Sequence, residues 1–416
     1  MKGTVLVATL AVFAGCLSNT LFVPLAPFLV ERRQVGWLLS MQGLASFAAL
    51  VPVGRAVDRC GAKPVLEQGI ACLGFGVVLS ALSAGIWVQL LGRAFCGAGS
   101  SVLFNAGMAL VMERFRGPDR AENIGATLGF GTLGSLVGPP LAGYLFSIGA
   151  ALPIAEPQAV PLAAPALVLL AAFFVLRAVP DVELDSEDLL IDDSVCSTVS
   201  FSSRFFGVYT SVGGPSWAIA VILVVLFGAI SALLCAGVLD MHRHGMSAVA
   251  IGLATVPAGI LQAITSHAGG SMSSSNRRKV LLLTASPLML AVCLTGVSVA
   301  IYADLCAVVL PIVISLCMAT TACGIADAPS ITMMADLAKM YKRGYGEAVT
   351  ATELAVTAGQ AVGPALGVLT VDAVGWPGLC LVIAAGAVMA GIASAVTLPA
   401  SGFVLNSHGG ADGDMD

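Results

Sequence analysis

The chain has 416 residues, of which 58% are hydrophobic and only 10% are charged, with a formal net charge of −5 and a mean hydropathy of +0.96. Ordinary globular domains carry about 25% charged residues. This composition therefore excludes a soluble globular domain and indicates a chain whose main solvent is lipid.

Twelve apolar runs, each about 20 residues long and so able to cross a bilayer as a helix, follow one another along the chain. They lie near 5–30, 35–57, 65–85, 87–111, 123–148, 158–179, 215–239, 247–268, 280–302, 305–331, 347–371 and 375–398, and we number them spans 1 to 12. The runs lack the alternation of barrel strands, so the sequence predicts an all-α polytopic membrane protein. Span 1 is too long for a cleaved signal segment, and we expect it to be retained.

The Lys and Arg residues test this arrangement, because positive charge collects in cytoplasmic loops. Fifteen of the 19 lie on the side that holds both chain ends, three lie on the opposite side, and Arg93 lies within span 4. We therefore expect both termini to be cytoplasmic. The sequence is compatible with a plasma membrane or an intracellular vesicle membrane.

An acidic stretch, "PDVELDSEDLLIDDS", follows span 6 and carries seven carboxylates. Such a stretch is typical of a solvated linker, although a partner-binding or phosphorylated segment is an alternative. The predicted domains are thus a six-helix bundle at 1–179, a cytoplasmic linker at 180–214, a second six-helix bundle at 215–398 and a cytoplasmic tail at 399–416.

Two pairs of segments suggest that the bundles are repeats of each other. "GSLVGPPLAG" in span 5 matches "GQAVGPALG" in span 11, and "GRAVDRCGAKPVL" after span 2 has a weaker echo in "GSMSSSNRRKVLL" after span 8. The residues matched in spans 5 and 11 are Gly134, Gly138 and Pro139 with Gly359, Gly363 and Pro364. Small residues four apart permit close helix packing, and a following Pro permits a bend. We expect these segments to lie on the surface along which the halves rock, although tight packing alone would explain them.

Ionisable side chains at membrane depth are costly and usually face a cavity. Three candidates meet this condition, namely Arg93, Asp327 and Glu353. Burial disfavours the charged carboxylate, so either acid could bind and release a proton near neutral pH. Arg93 could be the counter-ion of one acid or of an anionic solute, or it could bond backbone carbonyls.

Glu353 belongs to a polar stripe on one face of span 11, spaced by three and four residues. The stripe comprises Thr350, Glu353, Thr357, Gln360 and Pro364. A polar face toward lipid would be expensive, so the stripe should line a central cavity; a carboxyl satisfied by helix packing is the alternative. In span 10, "GIADAPS" places Pro329 after Asp327, where it could break the helix beside the carboxylate.

Several of these motifs together resemble the signature set of the major facilitator superfamily. They are Gly54, Asp58, Arg59, Gly61 and Lys63 between spans 2 and 3, Arg93 and Gly97 in span 4, and Gly134, Gly138 and Pro139 in span 5. Within the superfamily, "LFVPLAPFL", "GRAFCGAGSSVLFNAGMAL" and "YGEAVTATELAVTAGQAVGP" look most like vesicular amine transporters.

This resemblance implies a fold of two six-helix bundles and proton-coupled antiport of an amine- or drug-like solute. It also implies roles for Asp327 and Glu353 in proton coupling and solute transport, and for Arg93 in proton coupling. The chain departs from the amine carriers at three positions. Cys16 and Cys235 occupy neighbourhoods where those carriers hold acids, and Gln42 stands where a lysine is expected. Translocation residues are therefore expected at Asp327, Glu353, Arg93, Gln42, Gln360 and Asn105.

The charged turn after span 2 has a physical interpretation as a latch. Asp58 near the start of a neighbouring helix could accept amide hydrogens and favour the helix dipole, while Arg59 and Lys63 pair with acids of the facing half. This latch would stabilise the state closed to the cytoplasm. Alternatively, the charges only follow the positive-inside rule.

We therefore predict a secondary transporter that alternates access, exchanges protons for a small organic solute, and acts as a monomer in lipid. We expect no metal, no cofactor and no nucleic-acid partner. A uniporter or symporter, and a sensor or scaffold acting through the 180–214 linker, are alternatives. An enzyme is disfavoured because no nucleophile with a base, phosphate loop or metal cluster is evident.

Overall fold

The computed structural model describes residues 2–82, 85–114, 117–153, 156–178, 209, 212–273, 275–303, 309–340 and 345–398, and its regular elements in these ranges are all helices. Spans 1 to 6 are Lys2–Leu21, Arg32–Cys60, Ala62–Ala81, Ile86–Arg114, Gly117–Ala151 and Ala159–Ala178. Spans 7 to 10 are Gly214–Arg243, Ala248–Ala254 with Val256–Met272, Asn276–Tyr302 and Val309–Met340, and Tyr345–Thr397 forms the remainder. Most of the predicted linker and the whole predicted tail lie outside the described residues.

The last helix contains both of the remaining predicted spans. Eleven helices are long and apolar enough to cross a membrane, and the last of them has 53 residues. At 1.5 Å per residue it would measure about 80 Å, far more than the ~30 Å of a hydrocarbon core. Gly375 interrupts it with φ 72° and ψ −178°, so span 11 ends before Gly375 and span 12 begins after it. The prediction of twelve transmembrane helices is confirmed.

Some predicted helix ends and breaks differ from those observed. Span 1 ends at Leu21 rather than near residue 30, and a short helix, Ala26–Leu29, follows a turn that contains Pro24. Span 8 is divided at Thr255, immediately before the segment that carries Pro257 at its first turn. Both differences follow from proline, which lacks the amide hydrogen that a continuing helix would use.

The break predicted at Pro329 is wrong, because span 10 is continuous from Val309 to Met340. Pro329 leaves the carbonyl of Ile325, four residues earlier, without its helical donor. Gly269 of span 8 lies against that carbonyl, so closely that an added Cβ would be 2.8 Å from the oxygen. Proline is tolerated within transmembrane helices, and here the helix continues through it.

The twelve spans form two bundles of six, each with its own buried apolar cluster. Within the bundles, span 1 packs on span 5 and span 7 packs on span 11. Between the bundles, span 2 packs on span 11 and span 8 packs on span 5. The contact between spans 1 and 5 thus corresponds to that between spans 7 and 11, and the contact between spans 2 and 11 to that between spans 8 and 5. This is the correspondence expected if the second bundle repeats the first. We call the end of the molecule where span 2 begins the Arg32 end, and the opposite end the Lys63 end.

Large apolar side chains cover the outside of the bundle, as a lipid-facing surface requires. Trp87, Met389 and Val292 are among the most exposed, at 81%, 70% and 74% of their possible surface. A soluble domain would not expose such side chains over its whole circumference. The chain is therefore a multi-pass membrane protein.

Candidate translocation site

Asp327 of span 10 and Glu353 of span 11 lie within electrostatic range of each other. Both side chains are half-buried, and the charge of Asp327 acts directly on Glu353. Their helices belong to the second bundle, where Asp327 lies near the middle of span 10 and Glu353 lies about two turns from the start of span 11. Two carboxylates whose charges interact at membrane depth cannot both be charged cheaply, so protonation or a bound cation is favoured there.

Glu353 also reaches the first bundle. Cys16 of span 1 lies within electrostatic range of Glu353 and within hydrogen-bonding range of the Ser135 hydroxyl of span 5. Glu353 of the second bundle therefore interacts with span 1 of the first bundle, next to span 5.

The polar stripe of span 11 divides into two parts. At Glu353 it faces the centre, and the Thr357 hydroxyl donates to the Glu353 carbonyl at 2.8 Å. At Gln360 it meets the other bundle, where a Cβ on Gly43 of span 2 would lie 2.6 Å from the Gln360 carbonyl carbon. Tight packing on span 2 thus takes up the backbone near Gln360 and Pro364. That the stripe lines a cavity stays a prediction.

Gln42 of span 2 bonds to a residue that the sequence analysis did not select. Its side-chain amide donates to Asn19 Oδ1 of span 1, and Gly97 of span 4 lies against its backbone carbonyl. Ser46, one turn further on, donates to the Gly97 carbonyl at 2.9 Å. Spans 1, 2 and 4 thus meet through polar groups. In the sequence, Asn19 is marked only as a side-chain amide within an apolar helix, three residues after Cys16.

Asn105, another predicted translocation residue, is half-buried and bonds within its own helix. Its side-chain amide donates to the Ser101 carbonyl at 2.9 Å. This bond fixes the orientation of the side chain. The structure does not bring Asn105 into contact with the two acids.

Arg93 is completely buried, and its surroundings differ from those predicted. Its guanidinium carbon lies 4.3 Å from the centre of the Phe22 ring. Among the described residues, no hydrogen-bond partner is found for Nε, Nη1 or Nη2. The predicted counter-ion role toward Asp327 or Glu353 is therefore not observed in this conformation, and neither is bonding to backbone carbonyls. A cation–π contact contributes about 2 kcal/mol, whereas burying an ion costs several kcal/mol.

The two matched Gly–Pro segments each contact two partners. In span 5, Gly134 and Gly138 face span 1, where a Cβ on Gly134 would lie 2.8 Å from the Phe13 carbonyl oxygen. The carbonyl of Pro139 faces Gly252 of span 8, across the bundle interface. The predicted close approach is therefore present. Gly134 and Gly138 pack within their own bundle, whereas Pro139 and Gly143 meet span 8 of the other bundle.

Span 11 repeats this arrangement. Gly359 and Gly363 pack on span 7, where a Cβ on Gly363 would lie 2.5 Å from the Gly228 carbonyl oxygen. The Pro364 carbonyl faces Gly36 of span 2, at 3.3 Å from an added Cβ. Each segment thus packs on its own bundle through its two matched glycines, and its matched proline is among the residues that touch the other bundle.

The turn that carries the predicted latch is shorter than expected. Span 2 remains helical through Cys60 and span 3 begins at Ala62, so Gly61 alone forms the turn, with φ 81°. Glycine adopts this backbone conformation at little cost. The side chains of Asp58 and Arg59 lie outside the described set, Lys63 is half-buried, and nothing lies within 4 Å of a Cβ added to Gly54. The latch remains a prediction.

The two bundles are in contact at the Arg32 end. Arg32 of span 2 donates to Asp372 of span 11 through Nε at 2.9 Å and Nη2 at 2.6 Å. About two turns into the membrane, the amide of Ala365 donates to the Ser40 hydroxyl at 3.1 Å. Phe28 contacts His242 of span 7, with ring centres 4.4 Å apart. The Arg32 end is closed by these contacts.

A groove of about 580 Å³ lies between spans 1 and 5, in the half of these spans nearer the Lys63 end. It is lined by Val5, Leu6, Thr9, Leu10, Phe13, Asn123 and Phe130. Phe13 is about one helical turn from Cys16, so the groove ends near the residue that interacts with Glu353. The bundles are thus in contact at the Arg32 end, and this groove lies toward the opposite end.

Removing the ion pair should weaken this closure slightly. Arg32 and Asp372 side chains are 22% and 35% exposed, and exposed pairs contribute at most about 1 kcal/mol, which changes a population by less than about fivefold. We expect Arg32→Gln to speed maleimide labelling of Cys16 from the Arg32 end, in a chain with no other cysteine. Arg33→Gln, one residue on and exposed, should leave labelling unchanged, and equal effects of the two variants would deny the pair a role in closure.

Comparisons with known proteins agree with this architecture. The sequence model of the Major Facilitator Superfamily matches residues 8–346. The vesicular acetylcholine transporter unc-17 of Caenorhabditis elegans is 30% identical over 122 residues, 29% of this chain and 23% of the relative. A triacylglyceride transporter of Mycolicibacterium smegmatis is 30% identical over 109 residues, 26% of this chain and 20% of the relative. The matches thus span about a quarter or less of these relatives.

A solved structure resembles the whole chain. The crystal structure of a D-xylose-proton symporter superposes with a TM-score of 0.69 at 15% identity, covering 96% of this chain and 98% of that one. At this identity the likeness concerns the fold alone. It agrees with the two bundles and their order along the chain.

Proposed function

Because the chain belongs to the Major Facilitator Superfamily, whose members are transporters rather than enzymes, we propose that it exchanges protons for a small organic solute by alternating access. The observation that carries the proposal is the pair Asp327 and Glu353, half-buried together at membrane depth and reached by residues of both bundles. Carboxyl groups in this setting gain or lose a proton according to what occupies the site. Solute and proton then compete for the same two groups.

The order of steps follows from this competition. With the Arg32 end closed, a solute enters from the Lys63 end and displaces protons from Asp327 and Glu353. Reorientation of the bundles exposes the acids to the other side, where protonation weakens solute binding and releases it. A ligand shifts such an equilibrium only through its different affinity for the two states, which protonation of the acids supplies.

The lining of the site suggests an amine- or drug-like solute. The groove between spans 1 and 5, which ends at Phe13 about one turn from Cys16, presents mainly apolar side chains. These suit the hydrocarbon part of such a molecule, and the carboxylates suit a positive centre. Gln42, Asn19 and Gln360 supply neutral hydrogen-bonding groups near the bundle interface. We infer that the chain functions as a monomer, with both termini and the Lys63 end in the cytoplasm.

Symport is the second candidate, and the direction of proton movement separates the two. The test uses proteoliposomes that contain a pH-sensitive dye and are screened with amines, drugs and organic anions. For an antiporter, solute entry makes the lumen more alkaline as protons leave. For a symporter it makes the lumen more acidic, and for a uniporter the pH does not change. Solute binding without any flux would instead favour a sensor or scaffold.

A further inference from the structure

A buried polar cluster lies at the junction of spans 1, 3 and 4, away from the two acids. We call it the Arg93 cluster, and its members are Ser18, Phe22, Ser80, Gln89, Arg93 and Cys96. All six side chains are at most 3% exposed. Gln89, Arg93 and Cys96 are spaced by four and three residues, so one face of span 4 presents them together.

The Arg93 cluster contains a positive charge without a negative one. Among the residues that the structure describes, no carboxylate pairs with Arg93, and its three nitrogens lack hydrogen-bond acceptors. Guanidinium stays protonated under ordinary conditions, so the charge cannot be removed by losing a proton. Buried charges in proteins are paired or solvated, and Phe22 supplies only the weaker attraction of an aromatic ring.

The same cluster also contains unused hydrogen-bonding groups. The hydroxyls of Ser18 and Ser80 are buried within hydrogen-bonding range of Cys96 Sγ, a weak acceptor, and Cys96 also lies beside Arg93. Neither hydroxyl has a nitrogen or oxygen partner within the described chain. Gln89 donates to the Ser80 carbonyl at 3.1 Å, and its neutral amide oxygen cannot compensate the charge of Arg93. Guanidinium and two hydroxyls therefore offer several donors to a single acceptor.

The packing around the Arg93 cluster restricts the size of that acceptor. A Cβ on Gly92 would lie 2.6 Å from the Ser80 hydroxyl oxygen, and one on Gly76 would lie 2.9 Å from Cys96 Sγ. Spans 3 and 4 thus approach each other as closely as their glycines allow. This dense packing favours a small ligand over a large one. Arg93 is seven residues from the start of span 4, or about 10 Å from the Arg32 end.

We propose that the Arg93 cluster binds a small inorganic monovalent anion of the halide class, held by the guanidinium of Arg93 and the hydroxyls of Ser18 and Ser80. The ion supplies the missing negative charge and ties span 1 to spans 3 and 4 in the first bundle. This inference does not depend on the transported solute or on proton coupling.

The test measures the thermal unfolding midpoint of the purified chain in sodium chloride and in sodium gluconate at equal ionic strength. We expect the midpoint of the wild type to rise with chloride and to saturate, as for any ligand that binds only the folded state. Arg93→Gln should abolish this dependence. Arg243→Gln, whose side chain is 56% exposed beside Asp240, should retain it.

A second variant decides the matter if Arg93→Gln does not insert or fold. Ser18→Ala with Ser80→Ala keeps the charge and removes both hydroxyls, so the chloride concentration for half the effect should rise about tenfold or more. Bromide in a crystal should give an anomalous peak next to Arg93. The proposal is overturned if the wild type has equal midpoints in the two salts, or if the chloride effect persists unchanged in either cluster variant. Either result would favour water as the hydrogen-bond partner of Arg93.

Discussion

Glu353→Gln should reduce solute uptake driven by a pH gradient to the level of protein-free liposomes. The amide keeps the size of the side chain and most of its hydrogen bonding but cannot take up or release a proton. Counterflow of solute without a gradient should survive in part, because the neutral amide resembles the protonated carboxyl and alternating access does not itself need the proton. Both activities are measured on one reconstituted preparation.

The control for Glu353→Gln is Glu67→Gln. Glu67 is a carboxylate of span 3 that lies 3.7 Å from Arg177 at the Lys63 end, far from the central site, and its loss should leave both activities close to wild type. If Glu353→Gln takes up solute at the wild-type rate under a pH gradient, the Glu353 carboxyl group serves only in helix packing. Lost binding with coupling intact in the remaining transport would identify it as a solute ligand and favour a uniporter.

Gly252→Ala should impair exchange by about tenfold or more while the protein still inserts. An added methyl group meets the backbone carbonyl of Pro139, which cannot move aside as a side chain can. Overpacking of this kind typically costs about 1–3 kcal/mol, and about 1.4 kcal/mol is a factor of ten in an equilibrium. Because the clash exists only while spans 5 and 8 touch, the substitution should favour the state open at the Arg32 end.

Labelling of Cys16 by an impermeant maleimide measures this shift. In Gly252→Ala the reagent should gain access from the Arg32 end and lose access from the Lys63 end. Gly270→Ala is the matched control in the same span, since its Cβ would make only an ordinary contact of 3.6 Å with Ala328. Unaltered transport in Gly252→Ala, or the same loss in Gly270→Ala, would show that the contact between spans 5 and 8 does not limit the cycle.

The sequence predicts the fold well because its main determinant, the length of apolar runs, is local. Twelve spans and their pairing follow from hydropathy and from the repeat between spans 5 and 11. The helix break expected at Pro329 is not observed. The Ile325 carbonyl, which the proline leaves without its helical donor, is instead packed against Gly269 of another helix. No property of span 10 alone contains that information.

The central site is predicted only in part, for the same reason. Asp327 and Glu353 are recognisable because a carboxyl group within an apolar run is conspicuous by itself. Asn19 is not, since its importance comes from the hydrogen bond to Gln42 on another span. Likewise, the spacing of glycines predicts close packing but not whether the partner is span 1 or span 8.

The break at Gly375 constrains how the second bundle can move. One non-helical residue joins spans 11 and 12, and the Ser298 hydroxyl of span 9 donates to the Pro377 carbonyl at 3.1 Å just beyond it. Because the connection is this short, we expect span 11 not to move away from span 2 independently. Its displacement should be transmitted to spans 12 and 9, so the lipid-facing side of the second bundle should move together with span 11.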